Sequence, residues 1–498
     1  MTPSAYDRLT ERFRRLNALT GSRGVLGWDM ATMMPDGGAE ARAEQLEVLT
    51  MLGHGLLTAP EVSEWLAEAE SAPPDDPWDT ANLREMRRAH LHATCVDENL
   101  VGALSRATSR CEMRWRAARP DNDFQGLLPS LDEVLRLTRE VAEHRAAVLG
   151  CSAYEALMDE YEPGAREETI DALFDDLAGW LPNTVDRIVE KQEQQESILP
   201  IPGPFPQAKQ EALCRRLLGL VGFDFAHGRL DTSHHPFCGG VPDDVRITTR
   251  YREDDFVQSV MGVLHECGHA LYERGLPAPW RSQPVGGARG MALHESQSLL
   301  IEMQACRSPE FISCLAPLVR EAFDGDGPEW SEANLRRIYG HVQRSLIRVD
   351  ADEVTYPAHV ILRYRLERAL IRGDLQLADL PGAWADGLDA LLGIRPPDDR
   401  QGCLQDIHWP SGGWGYFPTY TLGALAAAQL FERACADRPD IPSELGRGDF
   451  RGLLGWLRTH VHQRASFTST DEVLRDATGS ALATTAFKAH VERRYLVR

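Results

Sequence analysis

Apolar residues along this chain recur mostly at steps of three and four positions, the spacing of a helix that buries one face. The pattern is clear in residues 6–19, in residues 128–146 and in residues 360–370, which follow Pro357. Such periodicity dominates the sequence from end to end. It predicts a mostly α-helical protein.

One stretch, residues 244–251 (DVRITTRY), alternates instead with a period of two and predicts a β-strand. Val245 and Ile247 would point to one face of this strand, and Asp244 and Arg246 to the other. The strand comes shortly before the most informative motif of the chain, so we expect a small sheet beside that motif.

Two segments interrupt the helical pattern. Residues 71–79 (SAPPDDPWD) are rich in proline and aspartate, and residues 198–207 (ILPIPGPFPQ) contain too much proline for a helix. Neither segment resembles a long flexible linker, and the sequence has no internal repeat. We therefore expect a single domain over residues 1–498, with possible subdomain boundaries at these two breaks.

The balance of charge limits the partners of the protein. The chain has 75 Asp and Glu residues against 53 Lys and Arg residues, which gives a formal net charge of −22. Nucleic-acid binding needs a basic face, so we expect no nucleic-acid partner. No apolar run reaches the length of a membrane span, so we expect no membrane partner.

Cysteine usage and the N-terminal residues both bear on the cellular compartment. The ten cysteines are scattered, and no two of them form a C-x-x-C pair. In a chain long enough to bury a large core, this is typical of thiols in a reducing compartment. The N-terminal residues MTPSAYDRLTERFRRL lack the apolar core and cleavage site of a signal peptide. We therefore expect a cytoplasmic protein.

The strongest chemical signal lies in residues 263–271 (VLHECGHAL), which contain the motif H-E-x-x-H. His265 and His269 are about one helical turn apart, so both imidazoles share a helix face and can bind one metal ion. Glu266 follows the first ligand and can reach a water molecule on the metal. The alternative is a surface helix with two exposed histidines, but the apolar flanks favour a buried helix.

A catalytic zinc site needs a third protein ligand. The downstream candidates are Glu273, His294, Glu295 and Glu302. Glu295 is best placed, because it lies 26 residues after His269 and opens a second apolar helix. It could instead be an acid that stabilises only the N-terminal end of that helix. His294 would point about 100° away, so we expect it to support a ligand or to contact the substrate.

Six motifs of this sequence, in order along the chain, resemble those of the carboxypeptidase Taq family of metallopeptidases. Together with Gly27-Trp28-Asp29 and Met34-Pro35 near the N-terminus, the resemblance extends from about residue 27 to residue 423. The motifs are His235-Pro236-Phe237 (H-P-F), Asp244, Arg246 and Thr248 (D-x-R-x-T), His265 to His269 (H-E-x-x-H), His294 to Gln297 (H-E-S/G-Q), residues 347–352 (I/V-R-x-x-A-D) and residues 402–409 (G-x-x-Q-D-x-H-W).

The resemblance implies a large two-lobed helical shell around a deep active-site groove, with a small β-sheet next to the H-E-x-x-H helix. It implies that Glu295 completes a metal site with His265 and His269. It also implies a homodimeric carboxypeptidase of broad specificity, which acts on peptides with a free C-terminus. One Zn²⁺ per chain is the default for two histidines and a glutamate, and Co²⁺ or Mn²⁺ are possible substitutes.

A carboxypeptidase must recognise a free carboxylate, which the planar guanidinium of arginine binds through two parallel hydrogen bonds. Arg348 is the first choice because it occupies the matching family motif, and Arg246 on the predicted strand is the second. Each has a structural alternative. Arg348 could pair with Asp350 or Asp352, and Arg246 could pair with Asp244.

Hydrolysis also needs a base and a donor to the oxyanion of the tetrahedral intermediate. We assign Glu266 as the base and place Tyr420 and His408 with it as catalytic candidates. Core packing is an equal alternative for the aromatic residues of WGYFPTYTLG. The remaining candidates for substrate contact are Tyr416, His235 and His294.

Other functions stay open on the residues alone. A metallo-oligopeptidase with the same ligands would release internal fragments instead of single C-terminal residues. A non-catalytic helical scaffold could retain the metal pattern, although the intact Glu266 argues against it. An aminopeptidase is disfavoured, because the sequence contains no amine site of the G-x-M-E-N type.

Overall fold

The chain folds mainly into α-helices, as the hydrophobic periodicity predicts, in a computed structural model that describes residues 3–497. Four of the helices in the first half contain 24 or more residues, and two of them, α1 and α6, include the predicted stripes at residues 6–19 and 128–146. The helices of this half are α1 (Ala5–Thr32), α2 (Ala39–Thr58), α3 (Pro60–Ser71), α4 (Pro77–Thr94), α5 (Glu98–Asp121), α6 (Phe124–Leu149), α7 (Ala153–Met158), α8 (Glu167–Glu193) and α9 (Gln207–Val221).

The second half of the chain carries the metal-site motifs and the stripe predicted at residues 360–370, which lies in α14. A π-helical turn, Leu300–Cys306, extends α11, and another, Glu492–Val497, follows α20. The helices of this half are α10 (Val257–Gly275), α11 (Met291–Leu299), α12 (Pro309–Ala322), α13 (Glu332–Tyr339), α14 (Tyr356–Arg372), α15 (Leu380–Leu392), α16 (Pro418–Asp437), α17 (Ile441–Leu445), α18 (Arg451–His460), α19 (Thr470–Thr478) and α20 (Thr485–Val491).

The break predicted at residues 71–79 is shorter in the structure, because α3 includes Ser71 and α4 begins at Pro77. Asp76 caps α4 by accepting hydrogen bonds from the backbone N–H groups of Trp78 and Asp79. Proline is tolerated at the first helical position because no helical partner is lost there. The proline-rich segment 198–207 is likewise non-helical up to α9, which begins at Gln207.

A three-stranded sheet lies beside α10, as expected. It consists of β1 (Gly228–Thr232), β2 (Cys238–Val241) and β3 (Asp244–Thr249), with β3 in the centre, parallel to β1 and antiparallel to β2. Val245 and Ile247 are buried, as their side of the alternation predicts. Thr248, on the side predicted to be polar, is also buried, because its hydroxyl binds the preceding loop through the N–H of Phe237.

Two large hydrophobic cores correspond to the two expected lobes. The first contains the sheet, α9, α10 and α12, and the second contains α6, α8, α14 and α15. Helix α16 serves both, since Ala426 packs in the first core and Leu425 in the second. The chain crosses from the second core to the first after Val189 and before Ile201, and it returns between Tyr339 and Val342. It enters the first core again along α16 and is back in the second core at Ala486 of α20.

Two further expectations concern the state of the cysteines and the absence of membrane-spanning helices. All ten cysteines are free thiols, as their scattered positions predict. Among residues 3–497, no helix has both the length and the apolar character that crossing a membrane requires.

Candidate active site

The two motif histidines and the predicted third ligand meet at one point in the structure. His265 and His269 project from α10, and Glu295 reaches them from the second turn of α11. The Nε2 atom of His265 lies 3.9 Å from Oε1 of Glu295, and the Nε2 atom of His269 lies 3.5 Å from Oε2. Of the residues described, these three form the group of side chains able to share a metal ion.

Two glycines allow the helices to approach closely enough to form this group. A Cβ atom at Gly268, between the ligands, would lie 2.5 Å from both the carbonyl oxygen of Gln297 and the Cα of Ser298. A Cβ atom at Gly423 of α16 would lie 2.8 Å from the side chain of Glu295. Glycine inside a helical pattern is the signal that could have indicated both close contacts from the sequence.

A buried acid from a distant part of the chain fixes the start of α11. Gly290, the residue before this helix, has no side chain to cap it. The carboxylate of Glu162 takes over this role and accepts a hydrogen bond of 2.9 Å from the N–H of Ala292, and Thr470 donates its hydroxyl to the same carboxylate. Nothing in the local sequence indicated this contact, which joins segments 130 positions apart.

A second carboxylate orients His265. Its Nδ1 atom lies 3.0 Å from Oε2 of Glu302, and the other oxygen of Glu302 accepts a hydrogen bond of 2.6 Å from Arg307. Burial would raise the pKa of Glu302, but Arg307 and His265 hold it below its ordinary value. The ionised Glu302 therefore fixes the ring with Nε2 turned towards the shared site.

His269 is oriented through a second histidine. Its Nδ1 atom lies 2.6 Å from Nδ1 of His294, and Nε2 of His294 lies 2.9 Å from Oε1 of Glu273. This contact is consistent with the support of a ligand, one of the two roles expected of His294. Of the four candidates for third ligand, Glu295 joins the two histidines. Glu302 and His294 contact one histidine each, and Glu273 contacts His294.

The geometry of the three donors fits a single small divalent ion. An ion with tetrahedral bonds of about 2.0–2.1 Å separates its ligands by roughly 3.3 Å, close to the two distances observed here. The Nδ1 atoms of both histidines are engaged elsewhere, so the Nε2 atoms are left for the metal. The site is also largely buried, which favours binding by excluding competing water.

Glu266 lies next to the donors without belonging to them. Burial raises the pKa of its carboxyl group to about 7, which suits a group that accepts and returns a proton near neutral pH. Cys267 is fully buried in the first hydrophobic core, in agreement with a packing role.

Arg348 is buried in an ion-pair cluster. Its Nε and Nη2 atoms donate to Oδ1 of Asp406 at 3.0 and 2.8 Å, and its Nη1 atom donates to the hydroxyl of Tyr356 at 2.8 Å. The ion pairs considered with Asp350 and Asp352 are wrong: Asp350 is exposed, and Asp352 accepts backbone N–H groups instead. The true partner lies 58 positions away, in the motif that contains residues 402–409.

The cluster around Asp406 holds one positive charge in excess, because Arg363 also pairs with this carboxylate, at 2.6 Å. The guanidinium carbon of Arg348 lies 5.2 Å from the ring centre of Tyr420. Tyr420 stands one turn before Gly423 on α16, the glycine that packs against Glu295. The excess positive charge therefore lies on the same side of α16 as the metal site.

Three aromatic candidates surround this cluster. The hydroxyl of Tyr420 lies 3.3 Å from Nε2 of His408, and the rings of Tyr416 and Tyr420 meet edge to face. Burial, assisted by the charge of Glu295, raises the pKa of both tyrosines above the ordinary value, so their hydroxyls stay protonated. Burial lowers the pKa of His408 to about 4, so this histidine is neutral at pH 7.

Two candidates lie elsewhere. Arg246 pairs with Asp244 through two hydrogen bonds of 3.0 and 2.5 Å, which is the structural alternative considered for it. His235 is exposed, and partial burial and the charges of Arg250, His234 and Arg119 lower its pKa. Neither side chain contacts the ligand group among the contacts of residues 3–497.

A buried H-E-x-x-H helix, joined by a glutamate from the next helix, defines a metal-dependent peptidase. A family model described as carboxypeptidase Taq (M32) metallopeptidase matches residues 8–495. The chain belongs to this family and is a metallocarboxypeptidase. The predicted family and fold are thus confirmed.

Similar proteins cover almost the full length of the chain. Thermostable carboxypeptidase 1 of Thermus thermophilus is 40% identical over 99% of both chains, and the protein of the same name from Pyrococcus furiosus is 33% identical over 98% of both. The solved structure of Trypanosoma cruzi metallocarboxypeptidase 1 superposes with a TM-score of 0.97 at 41% identity, again over 99% of both chains.

Proposed function

We propose that this enzyme removes single residues from the free C-termini of peptides, with broad specificity, at a site formed by His265, His269 and Glu295. The observation that carries the proposal is the excess positive charge of Arg348 and Arg363 around Asp406, on the metal-site side of α16. A peptide carboxylate would neutralise this charge. The same charge has no evident use in an endopeptidase, whose substrates continue past the site.

Each side chain has a distinct task in this reaction. A divalent ion in the site would polarise the scissile carbonyl and the attacking water. Glu266 accepts the proton of the water and later passes it to the leaving amine. Tyr420 donates its hydroxyl to the oxyanion, assisted by His408, and Arg348 holds the terminal carboxylate with Tyr416 beside it. We assign His294 to positioning His269.

We propose one Zn²⁺ per chain, because two imidazoles and one carboxylate suit this ion, with Co²⁺ or Mn²⁺ as substitutes. The resemblance to the family supports a homodimer, and the free thiols support a cytoplasmic location. The contacts described above give less support to Arg246 and His235 as substrate-binding residues, since Arg246 is already paired with Asp244.

A mass-spectrometric time course on an unblocked peptide tests the proposal. We expect successive loss of single C-terminal residues, abolished by a chelator and restored by metal, with about one ion per chain by elemental analysis. Internal fragments would indicate an oligopeptidase, and the absence of cleavage by metal-loaded protein would indicate a scaffold. Glu266→Gln is the matched control, because it should keep the metal and lose several orders of magnitude in kcat.

A further inference from the structure

A cavity of about 770 Å³ lies where the chain passes between the two large cores. Its walls are the C-terminal end of α8 and the segment after it, the start of α12, the end of α13 with residues 340–344, and the π-helical turn after α20. No metal ligand and no residue proposed to bind the peptide lines it. The cavity is therefore separate from the active site, and its volume suits a small organic molecule.

Arginine is the most frequent polar residue of the wall, although the whole chain carries a net charge of −22. Five arginines line the cavity against two glutamates, Glu193 and Glu196. Two of the arginines are used structurally. Arg494 bonds Glu353 and two backbone carbonyls, and Arg336 bonds Ser313 and Pro309.

The other three arginines keep donors to spare. Arg337 and Arg344 pair with Glu196 and Asp186, whose side chains are 83% and 59% exposed, so solvent weakens both pairs. Arg307 is only 19% exposed and gives Nη2 to Glu302, while its Nε has no hydrogen-bond partner among the described residues. A guanidinium has five N–H groups, so each of these three can bind an anion as well.

The remainder of the wall is apolar. Val189, Ile312 and Val342 contribute aliphatic surface, and Tyr495 contributes an aromatic ring. Inorganic anions make no use of such surface, whereas an organic anion would bury its carbon skeleton against it. The combination indicates a ligand with a charged head and an apolar body.

We propose that this cavity binds a small phosphate monoester, with its phosphate at Arg307, Arg337 and Arg344 and its body against Ile312 and Val342. A phosphate fits better than a carboxylate, because its three terminal oxygens can be shared among guanidiniums from different segments. A carboxylate presents two coplanar oxygens, which match a single guanidinium.

Calorimetric titration of the full-length, metal-loaded enzyme with phenyl phosphate tests the proposal. We expect saturable binding at one site per chain, tighter than that of inorganic phosphate or of phenylacetate. Binding should persist in the metal-free protein, because the cavity lies apart from the metal ligands. Three results would overturn the proposal: phenyl phosphate binding that does not saturate, phenyl phosphate binding that disappears when the metal is removed, or phenylacetate binding that is equally tight or tighter.

The decisive variant combines Arg337→Gln with Arg344→Gln. It leaves Arg307 in place, because Arg307 bonds Glu302, which in turn contacts His265. Each lost charge-assisted contact weakens the complex, so phenyl phosphate should bind at least about tenfold less tightly. The matched control, Arg320→Gln with Arg395→Gln, removes two exposed, acid-paired arginines outside the cavity and should bind normally.

Circular dichroism would establish that both double variants fold. If the cavity double variant does not, the single variant Arg344→Gln serves in its place, because its partner Asp186 is largely exposed. Unchanged binding by a folded cavity variant, or an equal loss in the control, would show that phenyl phosphate binds elsewhere.

Discussion

The two histidines proposed as metal ligands are equivalent in the H-E-x-x-H motif but have different partners in the structure. His265 bonds directly to an ionised carboxylate, Glu302, which Arg307 holds in place. His269 bonds to another histidine, His294. The nearest carboxylate on this side, Glu273, contacts His294 and not His269. A carboxylate on the far nitrogen fixes the ring and makes it a better metal ligand, so the stronger support belongs to His265.

Replacing Glu302 by glutamine should therefore weaken metal binding by about 10- to 100-fold, because the neutral amide is a poorer acceptor for the imidazole N–H. Competition with a coloured chelator measures this affinity directly, independently of peptide cleavage. Glu266→Gln provides the comparison, since Glu266 is the proposed base and does not belong to the group of three donors. An equal loss of metal from both variants would contradict the roles assigned here.

Arg348 can be tested by changing enzyme and substrate together. Charge-assisted hydrogen bonds contribute about 1.5–3 kcal/mol, so Arg348→Ala should lower kcat/KM on free-acid peptides by about ten- to more than a hundredfold. A C-terminally amidated peptide lacks the charge and should already be a poor substrate. Its slow turnover should hardly change in the variant. Initial rates for the four combinations separate recognition from damage to the fold.

Removal of the Arg348 side chain should not leave a buried carboxylate unpaired, because Asp406 keeps Arg363 as a partner. General damage to the fold should therefore be small. Arg246→Ala is the control, as its guanidinium is already paired with Asp244. Equal losses on the acid and the amide would assign Arg348 to the fold. A larger effect of Arg246 on the acid alone would transfer the carboxylate-binding role to that residue.

At the level of helices, the site depends on how closely α10 crosses α11. Gly268 stands at this crossing, where a Cβ atom would meet the backbone of α11. A methyl group cannot be accommodated by rotating a side chain, since the contacted atoms belong to the main chain. The helices must separate, and Glu295 on α11 would move away from His265 and His269 on α10.

Gly268→Ala should consequently cost about 1–3 kcal/mol of stability and weaken metal binding. Gly262→Ala in the same helix is a matched control, because no atom lies within 4 Å of the added Cβ. Alanine there favours the helix by roughly 0.8–1 kcal/mol and should leave metal binding intact. Thermal unfolding of the metal-free proteins and metal titration provide the two measurements. A tolerated Gly268→Ala would show that the crossing is looser than described.

For the whole molecule, burial of neutral histidines sets a limit to stability in acid. Burial lowers the pKa of His359 and of His462 to about 3. Both groups therefore bind fewer protons when folded than when unfolded, where their pKa is near 6.5. The contribution of these two histidines to stability is fully present above pH 6.5, and it is lost as the pH decreases towards their folded pKa.

His359 offers the cleaner test, because neither ring nitrogen has a hydrogen-bond partner among the described residues. Its charged neighbours are Arg363, Arg348 and Asp406. In His359→Phe the free energy of unfolding should fall less between pH 7 and pH 5, by roughly 1–2 kcal/mol. Denaturant titrations of both proteins at the two pH values measure the difference. An unchanged pH dependence would mean that His359 titrates normally in the folded protein.

The sequence by itself determined the helices and the chemistry of the metal site. Hydrophobic periodicity and turn residues act locally, so the bounds of α6, α14 and the strand β3 were predictable within a few residues. The start of α1 was predictable too, but this helix extends 13 residues beyond the stripe that ends at residue 19. The H-E-x-x-H spacing places two imidazoles on one helix face whatever the rest of the fold does. The resemblance to a family then selected Glu295 from four candidate ligands.

Only the tertiary structure decided which distant groups support these residues. The partner of Arg348 proved to be Asp406, and the cap of α11 proved to be Glu162, 130 positions before it. Neither contact produces a pattern in the nearby sequence, because any buried carboxylate could pair with Arg348 or accept the N–H of Ala292. The choice depends on how α10, α11 and α16 cross, and their separation is set by two glycines whose missing side chains carry no signal of their partners.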